Sequence, residues 1–373
     1  MKHTRREFIL GSGCLALSRA AYAASFNNLS LMNLFASANA INDANYKALV
    51  CIFLFGGNDA NNTLIPYDDT NPDHTYSAYA AARAGAPFLI PNTDTNLLQI
   101  NTSTQGTFGL PNRAPYNTTG IQSLYNSGSL AFVVNMGTLV QPLDRATYLS
   151  RPDLRPDQLF SHSNQQGENQ NGVPQGTSQT GWGGRLADRV YSTELFPLQI
   201  SVAGVNLYEA AQRTQTQPLV VPPTGALNQA LRYDPPRQAT LDAVNAALAL
   251  PDTSRLRLAA NNTKAQGLAT LTQLSSDPPI GTTFPNTTLG NQLKQIAKFI
   301  YLRDVLSSGG PMRRQIFFAS QGGFDTHANQ NANQGTLLTQ LSAALLAFHT
   351  EMVAQGIDSQ VPTFTQSVFA ATS

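Results

Sequence analysis

Two stretches of this sequence place a carboxylate just beyond a pair of glycines: Phe55-Gly56-Gly57-Asn58-Asp59 and Gln321-Gly322-Gly323-Phe324-Asp325. Each follows a hydrophobic run, so each reads as a strand turning into a loop. If the two strands run parallel, Asp59 and Asp325 share one rim of the sheet, the edge at which open α/β sheets bind ligands. The second stretch continues through Thr326 to His327. Carboxylate oxygen and imidazole nitrogen together suit zinc, manganese or iron. A Gly-Gly-x-Asp turn also serves simply to reverse the chain and cap a helix. Chemistry therefore requires the two turns to converge in space.

The chain holds 5 histidines. His162 stands between Ser161 and Ser163, ahead of a candidate helix, a setting that suits an activated serine nucleophile, a metal ligand or a plain polar loop. His349 adjoins Phe348 within a helical pattern and reads as structural, whereas His74 sits in an Asp/Asn/Pro loop and reads as solvated. Gly181-Trp182-Gly183-Gly184-Arg185 contains the only Trp. Such a Trp anchors a loop on the core, and the neighbouring Arg could instead clamp an anion. Cys51, inside an apolar run, reads as a small hydrophobe.

The elements that must position these residues follow from hydrophobic patterning. Ala48 to Phe55 is continuously apolar, without period-2 alternation, which predicts a strand covered on both faces. Leu130 to Val134, Leu198 to Val202, Gln315 to Ala319 and Val361 to Thr365 are the further predicted strands. Helices are predicted at Ile121 to Tyr125, Leu186 to Val190, near 239–249, at Asn291 to Leu306 and at Thr336 to Ala354. The region 67–128 is otherwise weakly periodic. Residues 210–290, with Pro222-Pro223, Pro235-Pro236 and Pro278-Pro279, read as a cap or insertion on one domain spanning 46–373. The alternation of strands and helices predicts an α/β fold with a parallel sheet and helices on both faces.

Length and charge narrow the function. The chain has 373 residues, with charged residues at only 12% and a formal charge of +1. No basic excess points to nucleic acid, and no apolar run nears the roughly 20 residues of a membrane span. The start reads as an export signal: Thr4-Arg5-Arg6-Glu7-Phe8-Ile9-Leu10, a short apolar stretch, then Ala21-Tyr22-Ala23. Residues 1–23 are thus expected to be a twin-arginine signal peptide, 24–45 a lead-in, and the location periplasmic or secreted. The expected partner is the twin-arginine translocation machinery. Residues 1–23 carry a net +3, so their removal leaves the mature chain at −2.

Together these motifs resemble an exported bacterial family, family fifteen-oh-one of the domains of unknown function, within the alkaline phosphatase-like (phosphatase/sulfatase) superfamily. The resemblance rests on the twin-arginine start, Phe55-Gly56-Gly57-Asn58-Asp59 with Asn62-Thr63 and Pro66, Ser161-His162-Ser163 with Gln165-Gln166, Gly181 through Ala187, Gly322 through His327, and Thr363 through Ser367. It spans about Ala48 to the C-terminus. It implies a three-layer α/β/α sandwich with a mostly parallel sheet and a metal-dependent hydrolase acting on a small anionic ester, phosphoric or sulfuric. By position it makes Asp59, Asp325 and His327 metal ligands, with Ser161 or Ser163 as the nucleophile beside His162. The implied cofactor is a divalent metal: zinc, manganese or calcium. Relatives read Ser-Asp-Phe-Gly-Arg-Thr where this chain reads Ser367-Val368-Phe369-Ala370-Ala371-Thr372, and they carry a later Asp-His-Gly segment. The resemblance therefore implies a C-terminally truncated or degenerate member, with weakened or absent hydrolysis. The alternative expectation is a non-catalytic envelope protein that keeps the fold for binding or assembly.

Overall fold

The structure, a computed structural model, describes residues 45–102, 105–134, 136–191, 196–227, 277–306 and 312–368, with a few isolated positions between 228 and 276. The expected signal peptide, nearly all of the lead-in, most of the helix near 239–249 and much of the expected cap lie outside the described residues.

The chain is a mixed α/β fold around a parallel sheet. Strand β1 (Lys47–Leu54) is buried along its length save Lys47, so both of its faces are covered, as its continuous apolar run requires. Each large aliphatic or aromatic side chain so buried contributes about 1.5–3 kcal/mol, which makes β1 the axis of the core. Its neighbours are β7 (Arg314–Gln321) and β8 (Thr363–Ser367), both parallel to it. On the far side of β7 lie β5 (Gln199–Ser201) and then β6 (Leu219–Val220), giving the order β6-β5-β7-β1-β8. Leu54 of β1 is in register with Gln321 of β7 and with Ser367 of β8. Three strands thus end at one level, and their following loops meet there.

A second, antiparallel sheet was not foreseen. It comprises β2 (Ile65–Pro66), β3 (Leu97–Asn101) and β4 (Thr107–Pro111), in the order β2-β4-β3. The predicted strand at Leu130 to Val134 is a correction. The described residues there have no strand partner, and Val133 and Val134 are exposed. Leu130 and Phe132 instead pack on a small cluster of Ile100, Leu110 and Ile121 beneath helix α2 (Thr119–Asn126).

The remaining predicted elements are present with shifted ends. Helix α5 (Trp182–Val190) packs on β7, and α6 (Thr288–Tyr301) packs on α7 (Gln330–Ala354). In composition α7 is apolar enough to cross a membrane, with mean hydropathy 1.3 over its best window. In this fold it seats Leu338, Leu341, Ala344, Phe348 and Met352 in the core. Trp182 is fully buried against Tyr208 and Phe364, the anchor expected of it. Its glycine neighbours permit close approach: a Cβ on Gly184 would stand 2.0 Å from the carbonyl oxygen of Ala210. Arg185 donates to the carbonyls of Thr180 and Asn171 at 2.8 and 2.5 Å, so it clamps the chain itself.

Candidate metal centre

The two Gly-Gly loops touch. Beyond β1, Gly56 and Gly57 take φ of +106° and +86°, values open chiefly to glycine. The Phe55 amide donates to Gln321 O at 2.9 Å, and the Phe324 amide donates to Phe55 O at 3.1 Å. A Cβ on Gly56 would lie 2.4 Å from the Asp325 backbone nitrogen. Gly56 therefore gives the second loop the space it occupies. Phe324 is fully buried and anchors that loop, while Asp325 and His327 turn outward, 46% and 84% exposed. The Asn58 amide donates to Ser367 Oγ at 2.9 Å, which adds the end of β8 to the same junction.

His162 arrives from a different part of the chain. It is the first residue of α4 (His162–Asn171), a helix with an unusually polar buried side: Gln165, Glu168, Asn169, Gln170 and Asn171 are all buried. Buried amides need partners, and these find them in backbone. Asn169 Nδ2 donates to Val368 O at 2.9 Å, and Gln170 Oε1 accepts the Leu207 and Tyr208 amides. The helix is thereby bolted to the end of β8, which brings His162 over the β7 loop. Burial pushes the Glu168 carboxyl up to about 7, against the hydrogen bonds from Thr138 and Gln165.

His162, Asp325 and His327 form one cluster, with a ligand atom from each within 4.8 Å of the others. His327 Nε2 lies 2.7 Å from Asp325 Oδ1, and His162 Nε2 lies 3.6 Å from Asp325 Oδ2. Donors bound to one tetrahedral zinc stand roughly 3.4 Å apart, from bond lengths of about 2.0–2.2 Å. The pairs at 2.7 and 3.6 Å and the 4.8 Å limit bracket that spacing, so a shared ion requires these side chains to shift.

Asp59 does not join them. Its carboxylate is fully buried and held by Arg83 through two hydrogen bonds of 2.9 and 2.8 Å. Its Oδ1 also caps the short 3₁₀ turn Ala60–Asn62 by accepting the Asn61 and Asn62 amides, and its Oδ2 accepts from Gln330 Nε2. Gln334 of α7 brackets its backbone from the other side. Arg83 is itself stacked over Phe88 at 4.9 Å and Tyr79 at 5.5 Å. Asp59, expected as a metal ligand, is thus engaged here by a buried ion pair and a cap and is not grouped with the His162, Asp325 and His327 cluster. Sequence reasoning missed Arg83, which sits 24 positions away at the end of the alanine-rich helix Tyr76–Ala82, with no motif around it.

Ser161 is the N-cap residue of α4, and its Oγ lies 3.2 Å from Ser163 Oγ and 2.9 Å from Asn164 Oδ1. Both hydroxyls flank His162 in sequence, and they hydrogen-bond each other and Asn164. Cys51 is fully buried, and burial pushes its thiol well up, as suits a small core residue. Comparison with protein-family models, with curated proteins and with solved structures yields no match for this chain.

Proposed function

We propose that this chain is an exported hydrolase of the phosphatase/sulfatase type that uses a single divalent metal held by His162, Asp325 and His327. The observation that carries the reading is the convergence of those three side chains, from two distant segments, at the carboxyl edge of a parallel sheet. Two imidazoles and one carboxylate match the three-ligand sets of catalytic zinc, which leave one coordination position open. Manganese also suits this donor set; calcium, which takes six to eight oxygens, does not. Such a metal supplies Lewis acidity to a bound ester oxygen or lowers the pKa of a water. Ser161 and Ser163 then offer hydroxyls beside it, and α4 presents its N-terminal amides to an anion.

The resemblance to the alkaline phosphatase-like superfamily supports a three-layer α/β/α arrangement and export through the twin-arginine route. A two-metal site is not part of the proposal, because Asp59 is engaged by Arg83 and Val368 is apolar and buried. That same reduction favours the second reading, a non-catalytic envelope protein. Metal content, zinc and manganese calorimetry, and hydrolysis of aryl phosphates and sulfates by the mature chain decide between them. The hydrolase reading expects binding and turnover that are both lost in His162→Ala and His327→Ala. Absence of both in the wild type refutes it. Metal binding without turnover favours the second reading.

A further inference from the structure

Immediately before the metal centre the backbone is strained. Gln158 and Phe160 have φ of +48° and +74°, two non-glycine residues in the left-handed region on either side of Leu159. A bulky residue rarely adopts this conformation unless its surroundings impose it. The fold gains little burial in return, because the Phe160 ring is 72% exposed. The result is an aromatic ring held out into water, two residues from His162, at most about 7 Å along the backbone.

Phe160 lines an open depression of about 440 Å³ whose wall also includes Tyr148, Leu159 and Arg155. That wall is built rather than loose. The Arg155 guanidinium sits 4.5 Å over the Tyr148 ring, and its Nε donates to Tyr148 O at 2.6 Å. Gln175 Nε2 donates to both Asp153 O and Arg155 O at 2.7 Å. The two acids nearby are engaged, Asp153 by Arg151 at 2.6 Å and Asp157 by the Gly176 amide at 2.6 Å.

We infer that this depression receives a planar aromatic group of the substrate, with Phe160 and Tyr148 as the contacting rings. The inference rests on the metal-centre reading for the ester that the aromatic group carries: the ring lies against Phe160 while the ester reaches His162, Asp325 and His327. Arg155 is a positioning residue that fixes Tyr148. A ring–ring contact here is of a size to change affinity roughly tenfold.

The test uses phenol as a probe that has a ring and no ester, measured by saturation-transfer NMR and titration on the full chain without metal. Zinc titration by calorimetry is run in parallel. The expected result is phenol binding in the wild type, retention in Phe160→Tyr, and a loss of roughly tenfold in Phe160→Ala, with zinc affinity unchanged. Phe160→Gly is expected to raise the urea midpoint, by relieving φ, while losing phenol, a pairing that a purely structural residue would not give. Phenol binding without zinc binding supports the ring site and counts against the metal centre alone. Zinc binding with no phenol binding, or phenol binding equal in wild type and Phe160→Ala, overturns the proposal.

Discussion

The contact between the two glycine loops makes a sharp test, because three glycines nearby separate its components. In Gly56→Ala the new Cβ meets the Asp325 backbone nitrogen at 2.4 Å and the Phe324 carbonyl carbon at 3.1 Å, at φ +106°. Carbon makes comfortable contacts at about 3.5 Å, so the Asp325 loop has to retreat by roughly 1 Å. The overpacking costs about 1–3 kcal/mol and the backbone conformation about 1–2 kcal/mol more. Gly85→Ala has the conformational term alone, with φ +78° and nothing within 4 Å of its Cβ. Gly322→Ala has neither: no neighbour within 4 Å and no left-handed φ. Urea denaturation therefore ranks the variants, with Gly56→Ala losing about 2–5 kcal/mol, Gly85→Ala about 1–2 kcal/mol, and Gly322→Ala unchanged. Zinc calorimetry adds a second axis. Retreat of Asp325 weakens zinc roughly 10–100-fold in Gly56→Ala, the scale seen when residues that orient metal ligands are changed, and leaves Gly85→Ala at wild-type affinity. If Gly56→Ala unfolds and binds zinc as Gly322→Ala does, the loops are not packed as described and the reasoning fails.

Three further outcomes are expected. Arg83→Ala leaves the buried Asp59 carboxylate without its partner and destabilises by about 3–5 kcal/mol; zinc affinity in the folded fraction stays at the wild-type value, since Asp59 lies outside the cluster. Burial pushes the Glu209 carboxyl up from 4.5 to about 8, opposed by the hydrogen bond from Asn206. The folded chain thus keeps a proton that the unfolded chain releases, so this contribution to stability is full below pH 4.5 and is lost as pH rises through 8. The slope approaches about 1.4 kcal/mol per pH unit, and Glu209→Gln removes it from a urea series across that window. Trp182→Ala, at a fully buried aromatic, costs about 3–5 kcal/mol by the same denaturation measurement.

The parts of the fold that could be read in advance are those whose signal is local. β1 is an uninterrupted apolar run after Lys47 and β7 carries a shorter one from Ile316 to Ala319, and a strand covered on both faces needs little else to announce it. Asp325 and His327 were visible because they lie two residues apart beyond a glycine turn. Leu130 to Val134 has the same apolar composition as a buried strand, yet composition does not say whether the sheet offers it a neighbour, and here it packs partly on a side cluster. The β3–β4 hairpin escaped because Leu97–Asn101 and Thr107–Pro111 are short, carry Gly109 and Pro111, and gain their order from pairing with each other. Asp59 shows the same limit at the level of function. A carboxylate after a strand has the same sequence signature whether it meets a cation or a guanidinium, and Arg83 decides between them from outside any motif. The hydroxyls beside His162 were legible by adjacency, whereas the strain at Gln158 and Phe160 exists only in three dimensions.

The central claim is that His162, Asp325 and His327 grip one metal ion. Anomalous scattering at the zinc edge, from crystals of the protein saturated with zinc, tests it most directly. The account predicts one strong peak about 2.0–2.2 Å from a nitrogen of each histidine and an Asp325 oxygen, with none beside Asp59. A zinc-saturated crystal without that peak, or with the ion bound at Asp59 in place of Arg83, contradicts it.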